Sequence, residues 1–278
     1  MHRREHHDHH DDHPLGLALA DALVELQQLT ERLRRDCPWD REQTVRTIVP
    51  HTVEEAYEVA DAAHAGDDAK LLDEIGDLLF QCVFLSVILQ ETDGGDLETA
   101  IRSVTAKLVR RHPHIFGATH VASAGGVRRR WEEIKRTDEG REGVFHEVPE
   151  NLPGLSYARK VQQRARSAGF EYPDLAGALA DFEDELRELR EELPATDPAP
   201  ETAADRRVAA ELGDVLFAAV NVARRLNVDP ELEVRAAAKR FRARVDRAVE
   251  LAAADAKDWT TLPLAEQDAY YDQAKETE

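Results

Sequence analysis

Cysteine is nearly missing from this sequence. Cys37 and Cys82 are the two among 278 residues, too few and too far from any histidine pairing for a disulfide framework or a zinc ribbon, and a reducing, cytoplasmic setting follows. Strand formers are sparse and scattered, which speaks against a sheet. Long apolar runs are missing as well. The most apolar stretch, Leu78 to Leu89, is interrupted by Gln81 and Ser86 and falls well short of the roughly 20 residues a bilayer span needs. Basic residues are outnumbered, 36 Lys and Arg against 56 Asp and Glu, for a net charge of -20. A surface this acidic repels nucleic acid and anionic membranes, so neither is an expected partner, and it suits divalent cations better. The first 13 residues, six of them His, hold no apolar segment of the kind a secretory signal requires. Residues 1–14 are expected to form a disordered His-rich tail.

What is abundant is Ala, Leu, Glu and Arg, in runs with apolar residues three and four apart, and the chain reads as all-α. A helix is predicted over 15–35, with Leu19, Leu23, Leu26, Leu29 and Leu33 on one side. Cys37-Pro38-Trp39-Asp40 breaks it, and Asp40, three residues before Gln43, reads as the N-cap of a short helix. Longer helices are predicted over 52–64, 69–91 and 97–111, the first closed by Gly66-Asp67-Asp68 and the last stopped by His112-Pro113-His114. After a loop at 122–126 and a short helix at 127–135, a polar stretch carrying Gly and Pro marks a domain boundary, giving units 15–147 and 148–278. The second unit is expected to hold an acidic helix over 175–193, a Pro/Ala/Thr linker at 194–203 and an apolar helix over 205–226.

The two units repeat one another. Gly76-Asp77-Leu78-Leu79-Phe80 recurs as Gly213-Asp214-Val215-Leu216-Phe217, 137 positions on. In the first copy Glu54-Glu55-x-x-Glu58 lies on one helix and Glu74-x-x-Asp77 on the next. Residues three apart share a helix face, so a tight hairpin would bring the pairs Glu55/Glu58 and Glu74/Asp77 face to face. Four carboxylates that close repel unless something neutralises them, and hard oxygen ligands select Mg²⁺ or Mn²⁺. The second copy offers Asp184-Glu185-x-x-Glu188 and Glu211-x-x-Asp214. Its hairpin is longer by seven positions, 23 from Glu188 to Glu211 against 16 from Glu58 to Glu74, and the extra residues fall in the proline-rich linker, which costs little. A solvated acidic surface is the alternative for any single E-x-x-E. Two features speak against it here: the doubling, and the position of each second pair at the head of an apolar helix.

These residues resemble the MazG family of nucleoside triphosphate pyrophosphohydrolases. The resemblance covers nearly the whole chain after the tail. It is carried by Cys37-Pro38-Trp39-Asp40 with Gln43-Thr44, by the carboxylate motifs of both copies, by Leu78-Leu79-Phe80-Gln81 and by Arg110-Arg111-His112-Pro113-His114. It implies a homodimer of interlocked helical bundles, built from four-helix units, that hydrolyses nucleoside triphosphates to the monophosphate and pyrophosphate with Mg²⁺ or Mn²⁺. The metal ligands would be Glu55, Glu58, Glu74 and Asp77, and again Glu185, Glu188, Glu211 and Asp214. Glu54 or Glu55 would orient or deprotonate the attacking water. The phosphate-binding candidates are Lys70, Lys107, Arg111 and Lys135 with their counterparts Arg207, Arg240, Arg244 and Lys275. Trp131 and its counterpart Tyr271 are base-stacking candidates, while Trp39 either packs the Cys-Pro turn or stacks on a base. His51 is left outside the site.

A helical di-iron carboxylate protein also gathers acids from facing helices, but it needs Glu-x-x-His pairs that these quartets lack. A non-enzymatic helical dimer acting as a regulatory module is the other reading. Base preference, and attack at the α or β phosphorus, stay open.

Overall fold

The computed structural model describes residues 14–117, 126, 134, 143–146, 148–196 and 205–276. Among them every regular element is a helix. The chain divides into two compact units, Met1–Val121 and Ala122–Glu278. Residues 1–13 of the expected tail, all of the loop and short helix of 122–135 but Gly126 and Ile134, and most of the 194–203 linker lie outside the described residues, as do Trp131 and Lys135, while Pro14, expected in the tail, opens the first helix.

The first unit starts with α1 (Pro14–Asp36). Its leucine stripe is covered unevenly. Leu23, Leu26 and Leu33 are half-buried around a fully buried Thr30, whereas Leu19 and Leu29 are exposed. α1 packs against α4, and its covered positions begin at Leu23. A turn, α2 (Pro38–Glu42), then holds a buried Asp40 inside it, so Asp40 is not the N-cap. The cap belongs to Thr44, whose hydroxyl accepts from the Thr47 amide at 3.3 Å while the Thr44 amide donates to the Thr47 hydroxyl at 2.8 Å. This reciprocal box opens α3 (Val45–Ala65), which begins before Pro50 and not after it. A proline this near the N-terminus removes one helical hydrogen bond, leaving the carbonyl of exposed Arg46 to water.

Gly66 turns the chain with φ +68°, a left-handed conformation that glycine adopts without strain. Asp67 caps α4 (Asp68–Gln90) through a 3.0 Å bond from the Lys70 amide. Two residues therefore join α3 to α4, and the hairpin closes on Ile48, Phe84 and Ile88, with Phe80 and Leu85 against them. A side chain at the C-terminal end of α1 secures the connector. The Arg34 guanidinium donates to the carbonyls of Asp40, Arg41 and Gln43 and forks onto both oxygens of Glu91 at 2.7 and 2.8 Å. The unit ends with α5 (Leu97–Arg111), capped by Asp96 and burying no residue, and the turn α6 (Pro113–Phe116).

The second unit repeats this order with α7 (Gly154–Ser167), α8 (Leu175–Glu192), α9 (Arg206–Arg225), α10 (Pro230–Ala254), a short 3₁₀ turn (Trp259–Thr261) and α11 (Leu264–Glu276). The α8/α9 pair stands where α3/α4 stands in the first. Buried Gln162 on α7 donates to the Phe217 carbonyl of α9 at 2.7 Å, and Arg159 meets Asp229, the N-cap of α10, at 2.6 Å. The α7–α8 connector is clamped as well, with the charges reversed: Glu171 accepts from Arg224 at 2.7 and 2.8 Å, with Arg166 and Arg225 at 3.3 and 3.6 Å. A separate small cluster of Ala248, Ala252, Tyr270 and Ala274 joins α10 to α11.

Phe84 is 1% exposed at the centre of the first unit. Phe84→Ala is expected to cost that unit about 3 to 5 kcal/mol, read as lost amide-exchange protection in α3 and α4 with α8 and α9 unchanged. Undiminished protection in α3 would show that the hairpin does not depend on this core.

Candidate metal and nucleotide site

Helical spacing delivers the first cluster. Glu55 and Glu58 fall one turn apart on α3, Glu74 lies on the first turns of α4, and the two-residue hairpin sets them opposite each other. One carboxylate oxygen from each of Glu55, Glu58 and Glu74 comes within 4.8 Å of the others, with Glu74 buried and the other two half-buried. In the second unit Glu185 from α8 meets Glu211 and Asp214 from α9 within the same limit. Three of the four expected carboxylates converge in each copy, and the fourth differs. Asp77 stands outside the first trio, and Glu188 outside the second, 3.4 Å from Arg187. Both still act on the trios through their charge.

The electrostatics show what such gathering costs. Burial first, then the negative charges of Asp77, Glu58, Glu74 and Glu54, push the Glu55 carboxyl above its ordinary range. Glu185 is raised by burial and then by Asp214, Glu188, Asp181 and Glu211. Glu74 is raised by burial and Glu58, with Lys70 pulling the other way from 3.6 Å. Hard oxygens that repel one another at this range are a donor set suited to a hard divalent cation.

The expected basic residues are spread more widely. Lys70 reaches its cluster. Its counterpart Arg207 turns to Glu192 at the C-terminal end of α8, at 3.2 Å. Lys107 and Arg111 lie on α5, half-buried. Arg240 is exposed on α10, while Arg244 is close enough to Lys275 for its charge to act there. Lys275 sits 4.7 Å over the Tyr271 ring, which lies 5.7 Å from Phe241. That cation–aromatic group is built by α10 and α11, and the second carboxylate trio by α8 and α9.

Two pairs near the trios were not read as such from the sequence. Trp39, 55% exposed, meets the His51 ring edge-on at 6.1 Å, and His51 Nδ1 lies 3.8 Å from Glu54. In the second unit the Tyr172 hydroxyl donates to Asp181 at 2.6 Å. This bond, with burial and the charges of Asp181, Glu185 and Asp184, pushes the Tyr172 hydroxyl up to about 12. His51 and Asp181 each precede the first glutamate of their trio by four positions, the one signal that the sequence carried. An open concavity of about 650 Å³ lies elsewhere, around Arg34, Arg41 and Glu91.

The model of the MazG nucleotide pyrophosphohydrolase domain matches residues 43–116, the span holding α3, α4 and α5. The chain is 37% identical over 255 residues to the nucleoside triphosphate pyrophosphohydrolase/pyrophosphatase MazG of Thermotoga maritima, covering 90% of this chain and 94% of that one. It is 34% identical over 262 residues to the nucleoside triphosphate pyrophosphohydrolase of Escherichia coli, covering 93% and 97%. Among solved structures it is similar to a MazG-related protein from Thermotoga maritima, at 32% identity over 41% of this chain and 99% of that one, with a TM-score of 0.37. The near full-length match to both enzymes takes in the two copies of the carboxylate motif together, and on that basis the chain belongs to the MazG nucleotide pyrophosphohydrolase family.

Proposed function

We propose that this protein hydrolyses nucleoside triphosphates to the monophosphate and pyrophosphate with Mg²⁺ or Mn²⁺, acting broadly on the cytoplasmic nucleotide pool. The observation that carries this reading is the repeated trio: three carboxylates on a helix hairpin, built twice. Glu55, Glu58 and Glu74 would hold metal in one unit and Glu185, Glu211 and Asp214 in the other, with Asp77 and Glu188 completing each quartet. A divalent cation bound there would neutralise phosphate oxygens and lower the pKa of a bound water. Glu54, exposed beside the first trio, or Glu55 within it, takes a proton from the attacking water. The water oxygen joins phosphorus at the α–β anhydride, the bridging P–O bond breaks, and pyrophosphate leaves. Lys70 stands at the first trio to receive phosphate charge, with Lys107, Arg111, Lys135 and, in the second copy, Arg207, Arg240, Arg244 and Lys275 as further candidates. Trp131, Tyr271 and Trp39 are aromatic candidates for the base.

A homodimer belongs to this reading. Ile101, Val104 and Leu108 make one face of α5 and are each 43 to 47% exposed, as are the equivalent stripes Ile75/Leu79 on α4 and Leu212/Leu216 on α9 at 39 to 51%. Apolar surface repeated at that spacing, on α4 and α9 beside residues they already bury and on an α5 that buries none, supports a missing partner. Among the described residues no helix is long and apolar enough to cross a membrane. In light scattering at micromolar concentration the expected mass is twice the 31.2 kDa of one chain. A mass near that of one chain would contradict the dimer.

The activity is tested by pyrophosphate release from a panel of triphosphates. Release is expected with Mg²⁺ or Mn²⁺ and none in excess chelator, and full turnover in chelator would end this reading. Both units are expected to work, with the second supplying at least half of turnover. Glu74→Gln and Glu211→Gln, each checked for intact helicity, should each remove a share. Full activity in Glu211→Gln with none in Glu74→Gln would make the second unit structural.

The raised glutamates give a signed stability prediction. A carboxyl whose folded pKa lies above its unfolded value binds its proton more tightly in the folded state. Its contribution is present below the unfolded value of about 4.3 and is lost as pH climbs through the raised one. At pH 7.5 without metal, Glu55→Gln and Glu185→Gln should therefore raise Tm. The same variants should lose much of the Tm increase that Mg²⁺ gives the natural protein. A lower metal-free Tm in both would show that these groups do not repel as described.

A further inference from the structure

The two units do the same thing twice with different chemistry at one further place. In each, the connector before the carboxylate helix presents an aromatic ring to the residue one turn ahead of the first glutamate. The first unit pairs Trp39 with His51, ring edge to ring face at 64° and 6.1 Å. The second pairs Tyr172 with Asp181 through a 2.6 Å hydrogen bond. In each, the connector is fixed beside that aromatic by an ionic clamp. Arg34, 14% exposed, takes the carbonyls of Asp40, Arg41 and Gln43, which follow Trp39, and locks onto Glu91. Glu171, 17% exposed and adjacent to Tyr172, is held by Arg224, itself 7% exposed, with Arg225 and Arg166. The arginine comes from the first helix in one case and from the end of the third in the other. The chemistry has changed sign while the placement of the aromatic has not.

Neither clamp touches a trio, and neither aromatic is spent on the core: Trp39 is 55% and Tyr172 38% exposed. A ring held rigidly at the surface, one turn from carboxylates gathered for phosphate chemistry, is a surface on which a planar base can stack. The partners differ in what they add. His51 enlarges the aromatic surface and offers a ring nitrogen. Asp181 has one oxygen on Tyr172 and leaves the other to accept from an exocyclic amino or a sugar hydroxyl.

We propose that Arg34 and Glu171 are positioning residues for nucleobase recognition, each fixing an aromatic wall, Trp39–His51 or Tyr172–Asp181, and that the unlike walls give the two units different base preferences. This rests on the pyrophosphohydrolase reading above.

The experiment uses the full chain with one trio disabled at a time, Glu211→Gln to isolate the first unit and Glu74→Gln to isolate the second. Specificity constants are measured for ATP, GTP, CTP and UTP with Mg²⁺. Different rank orders are expected from the two. Asp181→His in the second-unit form should move its order toward that of the first. Arg34→Lys in the first-unit form keeps the charge but loses the fork and the three carbonyl bonds. It should raise KM about tenfold, the scale of one lost stacking contact, with kcat held within about twofold. A clamp that merely holds the fold together would lower kcat and Tm together and leave the KM ratios among the four bases unchanged, and that result would overturn the proposal. The same rank order from both units would also overturn it, as would a silent unit. Absence of pyrophosphate from every form, the natural chain included, would instead bring down the enzymatic reading and this inference with it.

Discussion

The structure is organised around a repulsion. Three carboxylates with oxygens within 4.8 Å of each other are held on one helix hairpin, and the elements around them keep that hairpin closed against the charge. The opposing force is placed along the same helix. Glu74 occupies the early turns of α4, while Val83, Phe84, Val87 and Ile88 are buried nine to fourteen residues on, roughly 14 to 21 Å away at 1.5 Å per residue. Charge gathers at one end of the hairpin and apolar contact at the other, so burial of the core fixes the carboxylates without surrounding them by hydrocarbon. In the second unit the order is tighter. Asp214 is followed directly by buried Val215, then Ala218 and Val220.

Local geometry made part of this legible. The spacing of Glu55 and Glu58, and of Glu211 and Asp214, is a property of any helix, so their shared faces could be read before any tertiary contact was known. The N-caps at Asp67, Asp96, Asp174 and Asp205 are as local, each a short polar side chain reaching an amide two or three residues on, but they entered with the structure, the sequence having pointed to Asp40 instead. The misplaced start of α3 has an equally local cause. Pro50 reads as a helix boundary, but the reciprocal Thr44/Thr47 box uses a threonine where a Glu or Gln is the usual partner, so the true cap was easily passed over.

What could not be read depends on contacts distant in sequence. A leucine stripe tells that α1 has an apolar side, not how much of it finds a partner, and Leu19 and Leu29 found none within their unit. Which carboxylate of each quartet stands aside, Asp77 in one and Glu188 in the other, follows from how the hairpin closes. Periodicity does not encode that. The clamps join residues 57 and 53 positions apart, and the aromatic pairs depend on the connectors that those clamps fix. The two copies show why a motif search overlooks them, since Arg34–Glu91 and Glu171–Arg224 pair the same residue types in opposite chain order and from different elements.

On the dimer reading, the exposed stripes bring assembly and chemistry onto the same helices. Ile75 follows Glu74 directly and Leu212 follows Glu211, so the apolar face left open on α4 and on α9 is interleaved with the proposed ligands. A surface that covers Ile75 and Leu79 would also take water from the neighbourhood of the trio. Removing that water strengthens every electrostatic interaction there, the repulsion among the carboxylates as well as their attraction to a cation and its phosphates. A single unit keeps Glu55 and Glu58 partly wetted, which limits the repulsion it must contain. On the dimer reading, covering the stripe without a cation would increase that repulsion, whereas covering it with one would increase the attraction. Metal binding and association are then coupled through the same few turns of helix, each favouring the other. That coupling needs no conformational switch, only the adjacency of Glu74 to Ile75 and of Glu211 to Leu212.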